Sequence, residues 1–107
     1  MMSIRILAVI TLSLFANIVN AKIVISGHVV NEDNEPVDVA TTKLVDGEGK
    51  MLYFQITDES GFFEYVIDVE RLDANLIVEC LGYEAYKLNV TTSHDITNMS
   101  IRLKSKS

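Results

Sequence analysis

The chain holds 107 residues, with 15 acidic against 9 basic side chains, a formal net charge of −6, one cysteine and no tryptophan. This length fits one domain and excludes a second hydrophobic core. The acidic balance excludes nucleic acid, whose phosphates need clustered Lys and Arg, and a single thiol excludes an intramolecular disulfide.

Residues 1–21 carry Arg5, an apolar run from Ile6 to Phe15, and a stretch ending in Val19, Asn20 and Ala21. That order is the pattern of a secretory signal peptide cleaved after Ala21. The run falls well short of the roughly 20 apolar residues of a spanning helix, so no transmembrane segment is expected after cleavage. Taking 21 residues from 107 leaves 86, beginning at Lys22, and losing Arg5 moves the net charge from −6 to −7. Lys22 stands where a lipoprotein carries its lipid-modified cysteine. The expectation is an exported protein, periplasmic or at the cell surface or beyond it.

From Lys22 onward apolar residues recur with period two, the mark of half-buried strands. The first strand sets Ile23, Ile25, Gly27 and Val29 on one face and Ser26 and His28 on the other. Turn formers follow from Asn31 to Pro36. A second run, Val37–Val45, groups Ala40, Thr42 and Leu44 and sends Thr41 and Lys43 to water, and Asp46–Lys50 is the next turn. Met51–Thr57 sets Leu52, Phe54 and Ile56 against Tyr53, Gln55 and Thr57, with Tyr53 directed outward. Phe62–Val69 points Phe63, Tyr65, Ile67 and Val69 inward and Phe62, Glu64 and Asp68 outward.

Val69–Ala74 allows one helical turn. The fifth strand then alternates Leu76, Val78 and Cys80 with Glu79, the sixth Tyr86, Leu88 and Val90 with Lys87 and Asn89, and the seventh Met99, Ile101 and Leu103 with Ser100 and Arg102. Seven short strands at this spacing predict an all-β fold, a seven-stranded antiparallel Greek-key sandwich spanning residues 22–103. Two sheets are needed because each has one apolar face to cover. Residues 104–107 read as a short basic tail, frayed and solvated.

The stretch Thr57–Tyr65, TDESGFFEY, gathers three acids around a glycine and three aromatic rings. With Phe63 and Tyr65 inward, Glu64 faces solvent and Asp58 and Glu59 fall in a hairpin loop where Gly61 supplies positive φ. Asp58 can close an Asx-turn by accepting the N–H two residues on. The weaker reading is calcium, with Asp58 and Glu59 as oxygen ligands, but the D-x-D-x-D-G ladder and its bidentate Glu are missing.

ISGHVVNEDNEPV (25–37), ATTKL (40–44), TDESGFFEY (57–65), LGYEAY (81–86) and the strand Met99–Leu103 follow one another in a telling order. Together they resemble the carboxypeptidase regulatory-like domain family, the transthyretin-like sandwich of exported bacterial proteins that often precedes TonB-dependent receptors. The resemblance covers residues 22–103, and Gly27, Pro36, Asp58, Gly61, Phe63, Gly82 and Tyr83 carry it as structural positions. One position departs: family members commonly have glycine just before the alanine of the second strand, and here it is Val39. Met99–Leu103 is followed by Lys104–Ser107 and not by a plug or barrel, so the receptor function of longer relatives is not implied. The family's domain is the non-catalytic companion of carboxypeptidases.

Catalytic signatures are correspondingly sparse. A zinc peptidase needs a His-x-x-Glu pair, and neither His28 nor His94 has one. Cys80, on an apolar face, reads as an inert core thiol, and Ser60 lacks a nucleophile elbow. No catalytic residue, metal or cofactor is therefore expected. The expected function is a structural or protein-interaction module at the bacterial envelope, its partner an envelope protein or a glycan. The alternative is a carbohydrate-binding module of starch-binding-like type that stacks Tyr53 and Phe62 on sugar rings. Edge strands offer a further route, in which a partner segment adds to a sheet.

Overall fold

The computed structural model describes residues 22–106, and the signal-peptide reading of residues 1–21 lies outside them. Seven strands form: β1 (Ile23–Val30), β2 (Thr41–Val45), β3 (Met51–Ile56), β4 (Phe62–Ile67), β5 (Leu72–Glu79), β6 (Tyr86–Thr92) and β7 (Ile96–Arg102). They make two sheets, one in the order β4-β1-β7 and the other β3-β2-β5-β6. The sheets pack face to face as a β-sandwich because each alternating strand has one apolar side to remove from water.

Ile23, Ile25 and Val29 of β1 and Phe63, Tyr65 and Ile67 of β4 meet Leu44 of β2 and Leu72, Ala74, Leu76 and Val78 of β5 in one buried cluster. No helix among the described residues is long and apolar enough to cross a membrane. The helical turn expected at Val69–Ala74 is absent: β5 begins at Leu72, and burying Leu72 and Ala74 extends its period-two pattern at the N-terminal end. An interior polar contact joins the sheets. Thr42 Oγ1 donates to the Gln55 carbonyl at 2.9 Å, so Tyr65 donates its hydroxyl to Thr42 Oγ1 at 2.6 Å. Burial raises the Tyr65 pKa.

The antiparallel expectation holds for four of the five strand ladders, but β1 and β7 run parallel. β6 ends on the four-stranded sheet, and the link Ser93–Asp95 carries the chain across to the open side of β1. There it arrives in β1's own direction. Asp95 secures the crossing by accepting the Val24 N–H at 2.8 Å. The parallel register slips between Ile25 and Gly27, with Asn98 at φ 60°. Gly27 makes room for that bulge, since a Cβ there would sit 2.6 Å from Met99 Cβ and from its carbonyl oxygen.

Residues 104–106 of the tail are not frayed. Lys104 O accepts the Glu84 N–H at 2.8 Å, Lys106 N–H reaches Gly82 O at 3.0 Å, and Ser105 N–H donates to Glu32 Oε1 at 2.9 Å. Ser105 also forms a bridge with Tyr83. Composition alone suggested solvation, but backbone pairing with the loop after β5 holds the tail.

Candidate functional site

Asn31, Asp46 and Asp58 open three loops built to one plan. In each, the side-chain Oδ1 accepts the N–H groups two and four residues on: Asp33 and Glu35, Glu48 and Lys50, Ser60 and Phe62, all within 2.9–3.1 Å. The third residue after the Asx is left-handed, at φ 63° for Asn34, 86° for Gly49 and 77° for Gly61. This is a type I turn closed by a residue in the αL region. Asp58 also takes the Ser60 hydroxyl at 2.7 Å. That bond, followed by the Phe62 N–H, lowers the Asp58 pKa.

Asp58 thus serves the turn through Oδ1, and Glu59 stands exposed beside it. Among the described residues no three His, Cys, Asp or Glu side chains are placed to hold a metal ion. The loop is not the connection of a hairpin, as expected from sequence, but carries the chain from β3 in one sheet to β4 in the other. It docks on β1: Val29 N–H donates to Gly61 O at 2.8 Å, and a Cβ at Gly61 would lie 2.3 Å from Val29 O.

Just before this loop, the buried side chain of Thr57 grips the segment leading into β2. Thr57 Oγ1 donates to Val37 O at 2.8 Å and accepts Ala40 N–H at 2.9 Å. Its backbone N–H donates to Ala40 O at 2.9 Å, and its carbonyl accepts Val39 N–H at 3.2 Å. These four bonds hold Val39, a β-branched residue, at φ 58°. Such a conformation is strained and persists only where the surroundings over-determine it.

Val39 is 66% exposed and rims an open cleft of about 370 Å³, lined also by Thr41, Glu79, Cys80, Leu81, Tyr83 and Lys106. Leu81 is fully exposed. Cys80, expected in the core, lies one residue past β5 and is half-buried, in the cleft wall. Gly82, at φ 90°, turns the chain there.

The aromatic pair of the glycan reading is not brought together. Tyr53 faces inward and not outward: it is paired with Leu44, and its ring stands edge-on to Tyr65 at 6.4 Å. Phe62 does face outward, on the other sheet, with its ring 5.2 Å from His28 across the β1–β4 ladder. The inward turn of Tyr53 sends Leu52, Phe54 and Ile56 to the outer face, where all three are exposed. Phe63 is a core residue, and Pro36 bridges Val30. His94 sits in a turn closed by Thr92, whose hydroxyl donates to the His94 carbonyl at 2.9 Å.

Sequence patterning missed Thr57 and a polar seam between the first loop and β7. Arg102 donates to the Glu32 carbonyl at 2.8 Å and to Asn34 Oδ1. The Glu32 pKa is lowered by the Ser105 backbone N–H first, then by the Ser105 side chain, with Lys104 and Arg102 adding to it. These partners lie some 70 residues apart in the chain, beyond any local periodicity.

No family model matches the chain, and no curated protein matches its sequence. Solved structures match its fold. A 3-chlorocatechol 1,2-dioxygenase from Rhodococcus opacus 1CP is similar over 79% of this chain and 60% of its own, with TM-score 0.60 and 11% identity. For catechol 1,2-dioxygenase from Pseudomonas arvilla C-1 the values are 79%, 52%, 0.63 and 9%. A structure of a type II cohesin-X-dockerin complex from Acetivibrio cellulolyticus matches over 78% of this chain and 58% of its own, with TM-score 0.60 and 19% identity. The chain thus spans between about half and three fifths of these matched chains. At such identities the likeness is one of fold.

Proposed function

We propose that this chain is a non-catalytic interaction module of the carboxypeptidase regulatory-like type, exported to the bacterial envelope, that engages a protein partner at the cleft between Val39 and Leu81. The observation that carries the reading is Val39: a mostly exposed β-branched side chain held at φ 58° on the rim of the cleft. Left-handed backbone costs an ordinary residue about 1–2 kcal/mol, and glycine does not pay it. A side chain kept at such a position is accounted for if a partner contacts it. Leu81, fully exposed on the same cleft, adds an apolar surface of the kind that interaction sites use.

The left-handed φ at Val39 also supports the family reading, because this is the position where such domains commonly carry glycine. A β-sandwich matched in a cohesin-X-dockerin complex is compatible with an interaction role. The test is capture from envelope fractions by the full chain, by Val39→Gly and by Leu81→Ser, run beside a glycan array. Wild type should retain a protein that both folded variants lose, and the array should stay blank. Capture indifferent to both variants, or glycan retention alone, would sink the proposal.

A further inference from the structure

β3 is an edge strand of the four-stranded sheet, and all six of its residues are exposed. The other edges are guarded as edges usually are. β4 carries Glu64, β6 carries Lys87, and β7 carries Arg102 and the bulge at Asn98. β3 has no charge and no proline, and its bulge lies at its start, where Val45 pairs with Met51 and Leu44 with Tyr53.

The direction of its free hydrogen-bonding groups follows from Thr57. Thr57 N–H points toward the β2 side, where it meets the O of Ala40 just before that strand, and Gln55 faces β2 as well, its carbonyl accepting the Thr42 hydroxyl. Backbone groups alternate along a strand, so the N–H and C=O of Phe54 and Ile56 point away from β2, to the open edge. The same residues, with Leu52, hold their side chains 40–49% exposed on the outer face. Open ladder groups and an apolar row coincide, as strand addition requires.

Charge selects the occupant. The uncharged strand is bracketed by Asp46 and Glu48 before it and by Asp58 and Glu59 after it, with Lys50 the single cation in the two flanking loops. Beside Phe54, Lys43 is already paired with Glu79 at 2.8 Å. We propose that β3 accepts an extended segment of another protein, five or six uncharged residues of alternating apolar character with Lys or Arg at both ends. A second copy of this chain would set acidic loops against acidic loops. The site goes beyond the cleft reading: the two surfaces adjoin at Thr41, which pairs with Ile56 and lines the cleft, but each is tested with its own probe.

The probe is the peptide Lys-Lys-Val-Thr-Val-Thr-Val-Lys-Lys and its twin with Glu for every Lys, titrated into the full chain while backbone hydrogen exchange is followed by NMR. The basic peptide should slow exchange at Phe54 and Ile56 by about tenfold or more, and protection should fade at high salt. Phe54→Lys should abolish it, and Val66→Lys on the β4 edge should leave it intact. Equal protection by both peptides, protection away from β3, or none would overturn the proposal. So would concentration-dependent protection of Phe54 and Ile56 without peptide, because the occupant would then be a second copy.

Discussion

Val39→Gly should make this protein more stable, against the usual direction of an apolar-to-glycine change. Residues forced into sparsely populated backbone regions cost of order 1–3 kcal/mol, and a β-branched residue lies toward the upper end. Glycine forfeits about 0.5–1 kcal/mol through its greater freedom in the unfolded chain. Val39 is 66% exposed, so its lost burial is about a third of the ~1.5 kcal/mol that full burial of a small aliphatic side chain gives. The balance is a gain of about 1 kcal/mol. For a domain of this size that raises the melting temperature by roughly 4–8 °C. Urea and thermal melts of wild type, Val39→Gly, Val39→Asn and Val39→Ile measure it. Asn tolerates the αL region and should recover part of the gain, while Ile keeps the strain and should match wild type. A lower midpoint for Val39→Gly would refute the reasoning, because it would mean that the backbone at 39 is not strained in solution.

Thr57→Val keeps the shape but strips Val37 O and Ala40 N–H of their buried partner, so urea unfolding should show a loss of about 2–6 kcal/mol at 1–3 per unsatisfied group. Gly61→Val meets both a φ of 77° and the Val29 carbonyl and should cost more than about 2 kcal/mol, read from the same melts. Tyr65→Phe removes one bond while Thr42 keeps its bond to Gln55 O, so its cost should be near 1 kcal/mol. Asp58→Asn retains the acceptor but loses the charge that the fold favours, so it should lower the midpoint slightly, and Asp58→Ala should lower it more. Melts with calcium and with chelator should superimpose. Because the Asp58 and Glu32 pKa values are depressed in the fold, their contribution is present above the ordinary carboxylate range. It should disappear as the pH falls below about 4, and Asp58→Asn should blunt that acid loss.

Much of the sandwich was legible because its strands obey period two with unequal faces. β1, β4 and β5 each bury one set of alternating residues and leave most of the other half-buried or exposed. The loop at Asp58 was legible for the same local reason: an Asx followed three residues later by Gly specifies the turn chemically. β3 was not. Both of its faces carry large apolar side chains, and the richer face, Leu52, Phe54 and Ile56, is the outer one. What decides the matter is Thr57, whose buried hydroxyl bonds two backbone groups near the start of β2 and so fixes the parity of the strand before it. The parallel entry of β7 and the pinning of the tail rest on contacts about 70 residues apart in sequence, which no window of a few residues can register.

Two of the places where pattern fails are neighbours. Thr57 closes β3 and clamps Val39, so the bond set that turns the apolar row of β3 outward also holds a β-branched residue left-handed on the cleft rim. Neither feature helps the fold: an uncharged, apolar open edge invites association, and the φ at Val39 costs stability. A sequence optimised for folding alone would place a lysine in β3 and a glycine at 39. Local rules broken together, beside otherwise consistent strands, are the pattern expected where a surface serves binding. The variant pair separates these roles: Phe54→Lys should remove strand addition while sparing cleft capture, and Val39→Gly should stabilise the fold and spare strand addition while losing the cleft partner.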